Sequence, residues 1–177
     1  MQEEDEEEEE QDMISDGFPA VLISRYSLEM LRRNESSITA LNLATCFHSG
    51  VKLMRLWNAL STNQTLRALL INHNRLISED CVHVAEFIKE NHSLICLHIG
   101  SNNFGDKGCR LLLEGLQCNT TLRELMLNNI GMKFEGCKII CEWLKFNTSL
   151  RIMDLSGTVL LFFFVLCSRF LITFLRK

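Results

Sequence analysis

One period organises this chain. Ser37, Thr65, Ser93, Thr121 and Ser149 are each followed at once by an apolar residue, and the interval from each to the next never changes. Counting each as repeat position 1, position 2 reads Ile38, Leu66, Leu94, Leu122 and Leu150, and position 5 reads Leu41, Leu69, Leu97, Leu125 and Met153. Position 7 reads Leu43, Ile71, Ile99, Leu127 and Leu155, so each unit carries LxxLxL. Positions 5 and 7 alternate as a short strand requires. Position 20 (Leu56, Val84, Leu112, Ile140) and position 24 (Leu60, Ile88, Leu116, Leu144) are instead one helical turn apart. A strand and a helix cannot bury one face alone, so successive units must stack.

Units such as TLRALLINHNRLISEDCVHVAEFIKENH (65–92) and SLICLHIGSNNFGDKGCRLLLEGLQCNT (93–120) resemble leucine-rich repeats of the ribonuclease-inhibitor subtype. The resemblance runs from residue 37 to about residue 157. The Asn expected after the strand stands as Asn74 and Asn102. Cys46 is an alternative the subtype admits, and Ile130 departs from it. The resemblance implies an α/β fold: a leucine-rich-repeat solenoid bent into a horseshoe arc, with parallel strands on the concave face and helices on the convex face. Its relatives include ribonuclease inhibitors, Ran GTPase-activating proteins, NOD-like receptor sensors, tropomodulin-like actin regulators and ciliary adaptors, and fold membership alone does not choose among them.

The ends differ from the repeats. Residues 1–12 hold nine of the chain's 22 acids and no base, leaving 13 acids against 18 lysines and arginines, so an arm of −9 joins a body of +5. Such a run repels itself and is expected to be a disordered tail, solubilising or resting on a basic surface as a competitor for an acidic partner. No secretory leader is read at the N-terminus, which favours a cytoplasmic protein. Residues 13–36 are read as an N-terminal capping half-repeat, with Leu28 and Leu31 on a short helix and Ser27 as its cap. Residues 37–157 are the repeats, with units starting at 37, 65, 93, 121 and 149, and residues 158–177 form an apolar C-terminal segment. From Val159 through Phe162, Phe163 and Phe164 to Leu175, thirteen side chains are strongly apolar. At about −0.3 to −0.6 kcal/mol each, these outweigh the roughly +2.5 to +3.5 of Arg169. Two alternatives stay open: a membrane tail anchor, short for a span, or a truncated or alternatively spliced end that leaves the stack open.

Several motifs have plain explanations in the period. The N-x-S/T sequons at Asn63, Asn91, Asn119 and Asn147 recur once per unit because position 27 is Asn, read here as a left-handed turn after the helix; a fifth stands at Asn34. Cys81, Cys109 and Cys137 share position 17, one per helix, and are expected to be a buried ladder of free thiols. The five histidines fall at different repeat positions, without metal-ligand spacing, nucleophile elbow or phosphate loop. No catalytic residue, metal or cofactor is therefore expected.

What remains is the strand surface. Position 3 reads Thr39, Arg67, Ile95, Arg123 and Arg151; position 4 reads Ala40, Ala68, Cys96, Glu124 and Ile152. Position 6 reads Asn42, Leu70, His98, Met126 and Asp154; position 8 reads Ala44, Asn72, Gly100, Asn128 and Ser156. Arg123 and Arg151 are expected to be neighbours, with Glu124 and Asp154 as local counter-charges. Arginine and methionine at positions the fold does not dictate are interface residue types. The expected function is a non-enzymatic protein-binding scaffold, with a protein partner on the concave face, no nucleic acid, and Arg67, Asn72, His98, Arg123, Glu124, Met126, Asn128, Arg151 and Asp154 as contacts. The alternatives are a membrane-anchored adaptor through residues 159–175 and a GTPase-activating protein like the Ran GTPase activators. Oligomeric state is not read from the sequence.

Overall fold

LxxLxL changes phase partway through the motif, and the backbone shows how. A computed structural model describes residues 25–46 and 50–158. In each pairing of units, the N–H groups of positions 3 and 4 both donate to the position-3 carbonyl of the unit before: Arg67 and Ala68 to Thr39, Ile95 and Cys96 to Arg67, Arg123 and Glu124 to Ile95, Arg151 and Ile152 to Arg123. The position-4 bond is the ordinary one of a parallel ladder, and the position-3 amide shares its acceptor just before the strand begins; the side chains at both positions lie off the core, exposed or half-buried, before strict alternation sets in. Positions 2, 5 and 7 then point inward, as the leucines require.

The elements alternate along the chain: α1 (Arg25–Arg32), β1 (Ala40–Asn42), α2 (Gly50–Leu60), β2 (Ala68–Leu70), α3 (Cys81–Glu90), β3 (Cys96–His98), α4 (Gly105–Leu116), β4 (Glu124–Met126), α5 (Phe134–Leu144) and β5 (Ile152–Asp154). The strands form one parallel sheet in the order β1-β2-β3-β4-β5. Its register pairs equivalent residues of successive units, Leu41 with Leu69, Leu69 with Leu97, Leu97 with Leu125 and Leu125 with Met153. The core lies between one sheet face and the helices. Leu69, Leu97 and Leu125 are fully buried there, with Leu56, Val84, Leu112 and Ile140 facing them at position 20. Leu28 and Leu31 of α1 close the first unit, while Met153 and Leu155 at the last strand are only half-buried. The helices approach closely: a Cβ on Gly115 of α4 would lie 2.2 Å from the Ala85 carbonyl oxygen of α3, so only glycine permits that spacing.

Two asparagine ladders hold the turns. Asn63, Asn91 and Asn119 at position 27 are buried, and their side chains bridge units. Asn91 Nδ2 donates to the Asn63 carbonyl at 2.6 Å, and its Oδ1 accepts from the Ser93 and Leu94 amides at 2.9 and 2.8 Å. Asn119 repeats the arrangement, and Asn63 does so with its Nδ2 donating to the Leu31 carbonyl of α1 instead. The sequons are thus explained by the fold, though not by a left-handed turn: Asn91 has φ −88°, and of the five sequon asparagines only Asn34 has positive φ. The second ladder runs through position 10. Asn102 Nδ2 donates to the Ile71 and Ile99 carbonyls, and its Oδ1 accepts from the Asn74 and Leu76 amides. At the same position Cys46 Sγ donates to the Ala44 carbonyl, and Ile130 is fully buried, substituting packing for the ladder.

The left-handed residue sits at position 9. Thr45, His73, Ser101 and Asn129 have φ of 54–64°, and Gly157 continues the series at 72°. Four of the five units therefore bear a strain that glycine would relieve. Ser101→Gly is expected to raise stability by about 0.5–1 kcal/mol, the released strain exceeding the entropy glycine adds to the unfolded chain. Urea denaturation checks this, and a fall in midpoint would contradict it.

Two smaller expectations are corrected or located. Ser27 lies inside α1 and does not cap it. Cys81, Cys109 and Cys137 are buried and free, and burial pushes their thiols upward, that of Cys109 to about 12. The acidic arm, His48 and the apolar run from Val159 lie outside the described residues. Among the described residues, no helix is long and apolar enough to cross a membrane.

Candidate protein-binding face

The shared acceptor before each strand and the alternation along it together decide which side chains reach the open side of the sheet. Positions 3, 4, 6 and 8 of adjacent strands form rows across it, spaced by the strand separation of about 4.8 Å. Arg67 and Arg151 are exposed, while Asn72, His98, Arg123, Glu124, Met126, Asn128 and Asp154 are half-buried. Ile95 and Ile152 add exposed apolar surface in the same rows, at 38% and 50% exposure. The core-side residues of the same strands, Leu41, Leu69, Leu97 and Leu125, are buried, so the exposure of these isoleucines marks a surface the fold does not need closed.

The charges are arranged differently from the expectation. Arg123 Nη1 donates to the Thr120 and Leu122 carbonyls at 2.8 and 3.2 Å, and Arg67 Nη1 donates to the Ser93 carbonyl at 3.0 Å. Glu124 does not answer Arg123. Its Oε1 lies 2.8 Å from His98 Nε2 on the neighbouring strand. Asp154 Oδ1 instead accepts from the Ser156 amide at 2.8 Å, closing its own turn. Arg67 and Arg123 are therefore held by backbone carbonyls, their charge uncancelled by the two carboxylates expected to meet it. Asn128 lies over Gly100, where a Cβ would come within 2.1 Å of its Oδ1, so a flat residue at position 8 of one unit lets the next unit's side chain cross it.

One residue of the face was not among the expected contacts. Cys96 stands at position 4 of β3, one strand from Glu124 at the same repeat position and two residues from His98 on the same side. Burial, and then the neighbouring Glu124 carboxylate, push the Cys96 thiol up to about 11. The signal was present in the rows: cysteine beside glutamate at position 4, histidine diagonal to the glutamate. Reading the histidines by linear spacing alone conceals it.

Neither a family model nor a curated protein matches the chain by sequence. Solved structures do. The fold is similar to the leiomodin-1 actin-binding site 2, at 25% identity over 77% of this chain and 80% of that one, with a TM-score of 0.69. It is also similar to the tropomodulin C-terminal domain of Caenorhabditis elegans, at 16% identity over 74% of this chain and 81% of that one, with a TM-score of 0.67. At that identity the second likeness shows the fold alone. Both place the chain's parallel sheet and alternating helices with leucine-rich-repeat-like domains.

Proposed function

We propose that the chain is a non-enzymatic protein-binding module whose open sheet face, the inside of a ribonuclease-inhibitor-type horseshoe arc formed by units 37–157, seats a protein partner. The observation that carries this reading is the uncovered row of arginine and isoleucine: Arg67, Ile95, Arg123 and Arg151, with Met126 and Ile152 beside them. Such residues combine apolar area with planar hydrogen-bond donors and dominate interface energies. Actin is the partner the reading names, because the similar solved structure at 25% identity is described as an actin-binding site.

The test is the affinity of fluorescently labelled actin for the wild-type chain and for Arg123→Ala combined with Met126→Ala. Loss of two such contacts is expected to weaken binding at least tenfold, about 1.4 kcal/mol. Both side chains are half-buried on the surface rather than in the core, so the variant is expected to keep the wild-type circular dichroism. Unchanged affinity in the variant would refute the face, and absence of actin binding by the wild type would refute the partner.

A further inference from the structure

The sulfur of Cys96, a ring nitrogen of His98 and a carboxylate oxygen of Glu124 all lie within 4.8 Å of one another, on one side of β3 and β4. We propose that these three side chains form a binding site for a zinc-class divalent metal ion.

The donor set is the first argument. Thiolate, imidazole and carboxylate are the ligands zinc accepts, and three protein ligands with a solvent-facing fourth position is the form of its open sites. Thiolate also separates this site from magnesium and calcium sites, which take oxygen donors. Geometry is the second. At bond lengths of about 2.0–2.3 Å, tetrahedral ligand atoms stand roughly 3.3–3.8 Å apart. The present spacings run from 2.8 Å between His98 and Glu124 up to the 4.8 Å limit, a difference that side-chain rotation spans. The backbone need not move: Cys96 and His98 alternate on one strand, and Glu124 is the registered partner of Cys96.

Charge is the third argument. One thiolate and one carboxylate neutralise a divalent ion, so a half-buried site is left without net charge. The nearby arginines do not compete for it, since Arg67 and Arg123 are turned to backbone carbonyls. On binding, the Cys96 thiol releases its proton to solvent and sulfur bonds the metal; His98 Nε2 gives up its contact with Glu124 Oε1, its proton passes to solvent as Nδ1 takes one up, and the Nε2 lone pair is then available for coordination. The site is independent of the protein-binding reading, because it is measured on the isolated chain.

Cobalt(II) alone is the probe, since thiolate coordination gives a near-ultraviolet charge-transfer band that reports sulfur ligation. The wild-type chain is expected to show the band, zinc to abolish it by displacement, Cys96→Ser to lose it, and His98→Ala and Glu124→Gln each to weaken cobalt binding at least about tenfold. Cys118→Ser, which removes an exposed thiol elsewhere, is expected to retain the band. No band in the wild type, or an undiminished band in Cys96→Ser, would overturn the proposal. A second readout needs no variant: zinc is expected to slow alkylation of Cys96 and leave that of Cys118 unchanged, and an unslowed Cys96 would overturn it equally.

Discussion

Asn91→Ala is expected to lower unfolding free energy by about 3–5 kcal/mol, although it removes no apolar surface. Asn91 is 2% exposed and sits between two units. Its loss leaves the Asn63 carbonyl without the 2.6 Å bond from Nδ2, and the Ser93 and Leu94 amides without their 2.9 and 2.8 Å bonds to Oδ1. A buried polar group stripped of its partner costs about 1–3 kcal/mol, and three are stripped together. Water entering the vacated space offsets part of that sum. Asn91→Asp is expected to be no milder, because a carboxylate oxygen would then face a carbonyl oxygen where an N–H had donated. Urea denaturation followed by circular dichroism reads both, and a loss below about 1 kcal/mol for Asn91→Ala would contradict the ladder's role. The same burial implies that a glycan cannot occupy Asn91 in the folded chain.

The second large effect separates the two sides of the sheet. Leu97 and Ile95 are two residues apart, yet Leu97 is fully buried and Ile95 is 38% exposed. Leu97→Ala removes a core side chain registered between Leu69 and Leu125, with an expected cost of about 2–5 kcal/mol, transfer and cavity terms combined. Ile95→Ala vacates no enclosed space and is expected to cost less than about 1 kcal/mol. Comparable losses from both would show that the face carrying Ile95 is covered. Leu97→Ala tests the fold, whereas Ile95→Ala removes apolar area from the proposed docking surface with the fold intact.

Much of this was legible because a stacked repeat has one rule, applied again in every unit. Core positions 2, 5, 7 and 20 could be read directly, since burial follows periodicity. What the period could not reveal was where backbone groups find their partners. Position 27 reads as Asn for a left-handed turn or Asn for a bridging side chain, and both fit the same letter; the structure puts a left-handed residue at position 9, where Thr45, His73, Ser101 and Asn129 are polar but of no single residue type that would flag the turn. Ser27 suits a cap by type, but α1 begins two residues earlier. On the face, rows of neighbours were readable and orientations were not. Glu124 lies next to Arg123 in the chain, yet its carboxylate reaches across to His98 on the neighbouring strand. The grouping of Cys96, His98 and Glu124 depends on register and not on chain spacing, so it emerges only when equivalent positions of successive units are set side by side.

Site-specific crosslinking tests the docking face most directly. A photoreactive side chain placed at Met126 lies on the open face, and one placed at Lys138 lies exposed on α5, on the helical side. With actin present, the account predicts an actin adduct from position 126 and none from position 138. An adduct from position 138 without one from position 126 would contradict it.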